Sequence, residues 1–342
     1  MSQYYCGIDL HTRTSQLCLT DGKGNKVEEA NLPNNLSQIL GFLQPFGKDI
    51  QIGIESTINW YWIVDGLQEA GYDVKLGHTL GLFMITGAKI KTDRRDAFKL
   101  AKYLRLEEFP QAYIYPKEKR PLRDLLRRRI GLVEQRASCY RSLRIQLMRY
   151  NLNTYTLTQL KHIDEEDLSQ LPIPDELDMY CKMILERINL LSEQIQHLDT
   201  YLKEQTIDNP YFKLLLGLPG VWYTLGLTIY YETGDIQRFD TSKQYASYAR
   251  LIPALHQSVQ TKKKGKGGKQ GNHYLKWAFT QAASIAVRYY PKCRKFRDKH
   301  ARRRGHLTAK NIIANCILAH KLSTATFHIL KEGVPFDLNR LF

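Results

Sequence analysis

The sequence predicts an α/β domain followed by an all-α region, and three observations lead there. Strand and helix signals alternate over residues 1–115. Two long heptad patterns fill residues 116–208. From about residue 209 the chain reads as short helices around one tight turn and a strongly basic stretch. With 342 residues, three domains at these boundaries (1–115, 116–208 and 209–342) each have enough chain for a core.

Within the first region, residues 4–10 and 16–20 alternate as strands, and Asp21-Gly22-Lys23-Gly24 is a turn into a third strand near Val27. A helix follows Asn35, since Leu36, Ile39, Leu40 and Leu43 share a face. Gln51-Ile52-Gly53-Ile54-Glu55 is a short apolar strand, residues 60–70 form a helix, 72–76 another strand and 93–104 another helix. Three hairpin strands and then alternating helices and strands is the order of a layered fold on a mixed sheet.

In the second region Leu177, Cys181, Ile184, Ile188, Leu191, Ile195, Leu198 and Leu202 step by four and three residues without a break. Leu126, Ile130, Val133, Ala137, Tyr140, Arg144 and Leu147 do the same with one polar intrusion. These are coiled-coil seams joined by an acidic, Pro-containing linker near residues 164–174. They fit an antiparallel hairpin or a pairing with another subunit equally well.

The third region opens with Leu214-Leu215-Leu216-Gly217-Leu218-Pro219-Gly220-Val221. An apolar run broken in this way resembles the turn of a helix-hairpin-helix unit, whose backbone N–H groups hold a DNA phosphate; a plain helix–helix turn reads the same. Residues 214–231 carry no charge, but Pro219-Gly220 interrupts them, so two short buried helices fit better than a membrane span. Lys262-Lys263-Lys264-Gly265-Lys266-Gly267-Gly268-Lys269 is expected as a flexible loop, and it lacks the spacing of a nucleotide-binding P-loop.

Charge is segregated. Net charge is +16, yet residues 261–310 hold 16 Lys/Arg against Asp298 alone, and 117–150 hold 11 basic residues against three acids. Residues 151–210 reverse the balance, with 12 acids and four bases. Two polyanion-facing surfaces separated by a spacer follow, with Arg127, Arg128, Arg129, Lys262, Lys263, Lys264, Lys266, Lys269 and Lys276 as the candidate nucleic-acid contacts. The six cysteines show no zinc spacing and read as reduced core thiols. No signal peptide or membrane segment is read, and a bacterial cytoplasmic protein is expected, at the nucleoid when bound to DNA.

Four acids carry the chemistry. Asp9 interrupts the apolar strand Cys6-Gly7-Ile8-Asp9-Leu10, and Glu55 ends Ile52-Gly53-Ile54-Glu55. A carboxylate beside a sheet core is costly unless a cation or donor pairs with it. Asp93 and Asp96, spaced i, i+3, continue the stripe of Ala97, Leu100, Ala101 and Leu104 and so point inward. Clustered oxygen ligands suit Mg²⁺ in phosphoryl transfer. Taken one at a time, each acid is also explained as a strand end or a helix start.

At these residues the chain resembles the DEDD transposases of the IS-one-ten group of insertion sequences, described as bridge-RNA-guided recombinases. Gly7-Ile8-Asp9-Leu10-His11, Ile54-Glu55-Ser56-Thr57 and Lys91-Thr92-Asp93-Arg94-Arg95-Asp96-Ala97 look like the three acidic blocks of that family. Tyr248-Ala249-Arg250-Leu251-Ile252-Pro253, Gln257-Ser258-Val259 and the run from Lys269 through Gly271-Asn272 to Lys276 look like its serine block. Arg250 and Val259 stand where glycines are usual, and Trp222 stands where the turn commonly has a second glycine.

The resemblance implies an RNase H-like (RuvC-like) first domain and a helical transposase domain, on either side of the coiled-coil middle read from the heptads. It implies Ser258 as the nucleophile, a phosphoserine intermediate, and Mg²⁺ held by Asp9, Glu55, Asp93 and Asp96. DNA, an element-encoded guide RNA and other copies of the chain are the implied partners, as dimer or tetramer, with a composite site. His256 lies two residues from Ser258, but nothing else supports it as a base. Two other classes use the same features: a RuvC-like nuclease with water as nucleophile, and a non-catalytic nucleic-acid-binding protein.

Overall fold

The computed structural model describes residues 3–86, 93–152, 155–253, 255–258, 261–264, 270–305 and 309–341. The chain divides into two compact units, 1–118 and 119–342.

In the first unit β1 (Tyr4–Leu10), β2 (Thr14–Asp21) and β3 (Lys26–Pro33) form an antiparallel meander. Helix α1 (Leu36–Leu43) follows, capped by the Asn35 side chain accepting from the Gln38 N–H. β4 (Ile50–Glu55), α2 (Tyr61–Glu69), β5 (Asp73–Gly77), α3 (Thr79–Thr86) and α4 (Asp93–Arg105) complete the unit. The sheet order is β3-β2-β1-β4-β5, with β4 parallel to both β1 and β5. The sheet is mixed, as the strand order predicts, and the fold is the RNase H-like one that the resemblance implies.

The pleat sorts the sheet's two faces. Cys6, Ile8, Leu10, Ile52 and Ile54 pack with Ile39 and Leu43 of α1 and Ile63, Val64 and Leu67 of α2. The alternate positions meet α4. There β1 and β4 present a cross-strand pair of glycines, Gly7 opposite Gly53. A Cβ on Gly7 would lie 2.0 Å from the Ala97 carbonyl oxygen, and one on Gly53 would lie 2.8 Å from Leu104. The glycines let α4 rest on the sheet backbone, with Ala97, Leu100, Ala101 and Leu104 buried beneath it.

In the second unit α5 (Arg120–Arg149), α6 (Glu165–Ser169) and α7 (Asp175–Thr206) come first. Helices α5 and α7 pair within the chain. Arg129 reaches Asp199, Arg136 reaches Ser192, and Leu126 shares a cluster with Leu202. In each pair the number rises on one helix as it falls on the other, so the pair is antiparallel. At its far end Cys139, Leu143 and Leu147 meet Cys181, Ile184 and Ile188. The linker is ordered as α6 by a capping box between Asp164 and Asp167.

Helices α8 (Pro210–Leu215), α9 (Tyr223–Thr233) and α10 (Ser242–Tyr248) follow. Strands β6 (Leu255–Ser258) and β7 (Thr261–Lys264) form a hairpin, and α11 (His273–Tyr289), α12 (Pro291–Arg302), α13 (Lys310–Glu332) and α14 (Leu338–Leu341) end the chain. The uncharged run 214–231 therefore splits into two helices, and no described helix is long and apolar enough to cross a membrane. Leu126 and Leu202 share a buried cluster with Phe212, Leu227 and Tyr231, so the root of the helical pair and the following helices have common core. All six cysteines are free thiols.

The Lys/Gly stretch differs from its expected form. Lys262, Lys263 and Lys264 lie in β7, paired with Gln257, His256 and Leu255. Cross-strand hydrogen bonds outweigh the weak strand preference of lysine there. Lys266 and Lys269 lie outside the described residues.

Gly7→Ala is expected to destabilise the protein by about 2–3 kcal/mol in urea unfolding, because helix backbone must move. Gly41→Ala, in a helix with open space around the new methyl, should be neutral or stabilising. Equal stability of Gly7→Ala and the parent protein would show that α4 does not rest on β1.

Candidate functional site: an acidic cluster and a pinned hairpin

Asp9 is two residues beyond Gly7 on β1, and Glu55 is two beyond Gly53 on β4, so both carboxylates share the face that carries α4. The β1–β4 ladder ends at Ile8 opposite Ile54, which makes Asp9 and Glu55 the next residues at one end of the sheet. Helix α4 starts at this end with Asp93 and Asp96 in its first turn. Asp9 is buried, while Asp93 at the helix start is largely exposed, less inward than the spacing predicts. Asp96 is partly covered, takes a hydrogen bond from Lys99 at 3.1 Å, and lines a small pocket with Glu55, Thr79 and Tyr103. Lys91 and Thr92 of the third acidic block lie outside the described residues.

His11 is the residue that sequence reasoning passed over. Its Nε2 stands 3.4 Å from Asp9 Oδ2 and 3.3 Å from Asp93 Oδ2. Ligand atoms of Asp9, His11 and Asp93 all lie within 4.8 Å of one another. Burial pushes the Asp9 carboxyl up to about 6; His11 opposes the shift, and the charges of Asp96, Asp93 and Glu55 add to it.

In the second unit, the serine block is a strand hairpin with an anchored base. Ser258 ends β6 opposite Thr261. In the segments that precede and follow the hairpin in the chain, the Asn272 N–H donates to the Tyr248 carbonyl at 2.6 Å, and Arg250 Nε donates to the Gly271 carbonyl at 2.7 Å. Gly271 has φ +97°, and a Cβ there would meet the Tyr248 carbonyl oxygen at 2.4 Å, so glycine is required. Asn272 caps α11 through its side-chain oxygen and gives its amide N–H to Glu232 Oε2 at 2.7 Å. Glu232 is buried and receives Arg127 through two bonds, 2.5 and 2.7 Å long. Burial opposes the Arg127 charge, yet the bonds and charge of Glu232 outweigh it and hold the guanidinium pKa above its usual value.

Two of the candidate nucleic-acid contacts have acidic partners within the chain. Arg127 is engaged by Glu232 and Arg129 by Asp199, in two bonds each, which leaves Arg128 as the exposed member of the three. Lys276 is exposed on α11. Arg250 occupies a left-handed backbone conformation, φ +55°, where glycine carries no penalty.

Comparison with known proteins bears on both halves. Residues 6–152 match a family described as "Transposase", a DEDD model, and residues 212–298 match "Transposase IS116/IS110/IS902 family". The first match contains the four acids and the second contains Ser258. The chain belongs to the IS116/IS110/IS902 family of transposases. The transposase is also 26% identical to a pilin gene-inverting protein of Moraxella bovis, over 98% of each chain. It is 20% identical to the transposase of insertion sequence element IS1328 from Yersinia enterocolitica, over 97% of this chain and 98% of that one. A third relative, the transposase of element IS1111A from Coxiella burnetii, is 26% identical over 58% of this chain and 56% of its own. As a transposase it binds DNA, cuts it and rejoins it.

A DEDD domain implies a divalent metal, and the residues present fit one. Several carboxylates converge on a buried acid whose proton they help retain, and a cation would relieve that repulsion. The metal-free transposase is therefore expected to show a specific pH dependence. Between about pH 4 and 6 folded Asp9 keeps a proton that the unfolded chain has released, so Asp9 lowers stability as pH rises through that window. Asp9→Asn should gain stability relative to wild type across it, measured by denaturant unfolding in chelator. A difference independent of pH would contradict the shift. At the hairpin base, Glu232→Gln should cost about 3–5 kcal/mol in the same assay, because Arg127 loses its counter-charge; a loss below about 1 kcal/mol would show the pair to be dispensable.

Proposed function

We propose that the transposase cuts and reseals DNA through Ser258, with Mg²⁺ held by Asp9, Glu55, Asp93 and Asp96 and with target sites chosen by an element-encoded RNA. The observation that carries this reading is the presence of both blocks, four acids and a serine in an anchored hairpin, in one chain that matches transposases in both parts.

The Ser258 hydroxyl oxygen attacks a DNA phosphorus. A Ser–O–P bond forms and the P–O3′ bond breaks, and the proton lost by serine ends on the released 3′-hydroxyl. In the second step the 3′-hydroxyl of another strand attacks the same phosphorus, the new P–O3′ bond replaces the Ser–O–P bond, and the serine regains its proton. Phosphodiester bonds are conserved in number, so no nucleotide triphosphate is consumed. Serine is a weak nucleophile, and neighbouring cations lower the barrier by stabilising charge on the phosphate. Bound among the acids, Mg²⁺ supplies positive charge of this kind.

The Moraxella relatives support a rejoining enzyme, since inverting a gene requires that every cut be resealed. The basic stretches 117–150 and 261–310 give two nucleic acids surfaces to bind, and base pairing would then supply sequence choice. Homo-oligomers follow from the need to cut several strands together.

The test is a denaturing gel of the protein with Mg²⁺, its element-end RNA and labelled junction DNA. Wild type is expected to give a slow, protease-sensitive DNA band that Ser258→Ala lacks and that omission of the RNA abolishes. Cleavage by Ser258→Ala equal to wild type, without that band, would leave a metal-dependent nuclease that uses water.

A further inference from the structure

Most large aromatic side chains of the second unit are buried or half-buried, but two neighbours are not. Trp222 and Tyr289 are 65% and 66% exposed, with ring centroids 6.5 Å apart and planes inclined at 39°. This is a loose pairing at the outer limit of aromatic contact, so each ring keeps area for another partner. Exposing an indole to water forgoes the burial that normally stabilises it. The other three tryptophans, Trp60, Trp62 and Trp277, are buried or half-buried.

The pair is held on a rigid base. Gly220 adopts φ +75°, and a Cβ on it would lie 2.1 Å from the Ala282 carbonyl oxygen, so the turn rests on the backbone of α11. Leu218 and Val221 are buried on either side of Pro219-Gly220. Tyr289 is the last residue of α11, and Arg294 Nε donates to the Val287 carbonyl at 3.0 Å, tying the start of α12 to the end of α11. Neither ring is therefore on a loose tail.

The surroundings select the occupant. Arg288 and Lys295 are exposed close to Tyr289 in sequence, and α12 carries Lys292, Arg294, Lys295, Arg297, Lys299 and Arg302 against one acid, Asp298. Trp222 is the cap residue of α9. The next two residues, Tyr223 and Thr224, line an open groove of about 600 Å³ with Arg129, Arg136 and Lys203, where Asp199 offsets one positive charge. Exposed aromatic rings in a strongly basic stretch of chain suit a polyanion that also offers flat apolar faces, and an unpaired stretch of DNA is such a ligand. A second protein chain would have to cover this positive charge.

We propose that Trp222 and Tyr289 form a stacking platform for an unpaired base of single-stranded DNA, with the strand's phosphates facing the adjacent cations. Such a platform would hold a strand that has left its duplex during cutting and transfer. It depends on the family's DNA binding and not on the serine mechanism.

The test is binding of a fluorescein-labelled oligothymidylate of about 20 nucleotides to Ser258→Ala protein, at a salt concentration that weakens phosphate contacts. Trp222→Ala and Tyr289→Ala are expected to lose about 5- to 100-fold in affinity, and Trp222→Tyr to stay within about threefold of the parent. On an abasic oligonucleotide of the same length, the parent and Trp222→Ala should bind alike. Unchanged oligothymidylate affinity in Trp222→Ala would overturn the proposal, as would an equal loss on the abasic strand. Trp222-dependent binding of oligouridylate but not oligothymidylate would overturn the assignment to DNA. A change of oligomeric state in Trp222→Ala, with oligothymidylate affinity intact, would assign the patch to a second copy of the chain.

Discussion

The approach of α4 to the β1–β4 ladder is the contact on which the first unit depends. Two glycines opposite each other, Gly7 and Gly53, remove the side chains that would hold a helix away from a sheet. The face they open continues directly into Asp9 and Glu55, and the helix they admit begins with Asp93 and Asp96. Close packing and acid convergence are thus one geometric fact. The cost is a buried carboxyl that resists ionisation in the absence of a cation.

The second unit resolves a similar problem in the opposite way. Its buried carboxylate, Glu232, carries its own cation, Arg127, in a paired geometry, and hands a remaining oxygen to Asn272. The ion pair anchors the start of α11, and the hydrogen bonds from Asn272 and Arg250 tie residues 248–250, before β6, to residues 271–272, after β7. In the first unit buried Asp9 has His11 against the charges of three further acids, whereas in the second Glu232 is matched by Arg127. That contrast separates a place for a metal from a structural core.

Much of this was legible in the sequence, for physical reasons. An acid in an apolar strand, or at i, i+3 on a packing stripe, violates the local pattern and so announces itself; the strand order and the split of residues 214–231 into two helices were readable in the same way. His11 was not, because a polar residue at a strand end breaks no rule. Glu232 lay hidden behind a partner 105 residues away, and Arg127 looked like one more basic surface residue. The heptads fixed the helices but not their partner, which depends on how the linker turns. Arg250 in place of glycine was a visible departure, and the left-handed backbone shows what it marked.

Everything proposed for the first unit requires the acids at the end of β1, β4 and α4 to form one cation site. Anomalous X-ray scattering from crystals grown with Mn²⁺ in place of Mg²⁺ tests it most directly. A peak is expected within coordination distance of Asp9 and of at least two of Glu55, Asp93 and Asp96. Full occupancy elsewhere, with these four carboxylates free of metal, would contradict it.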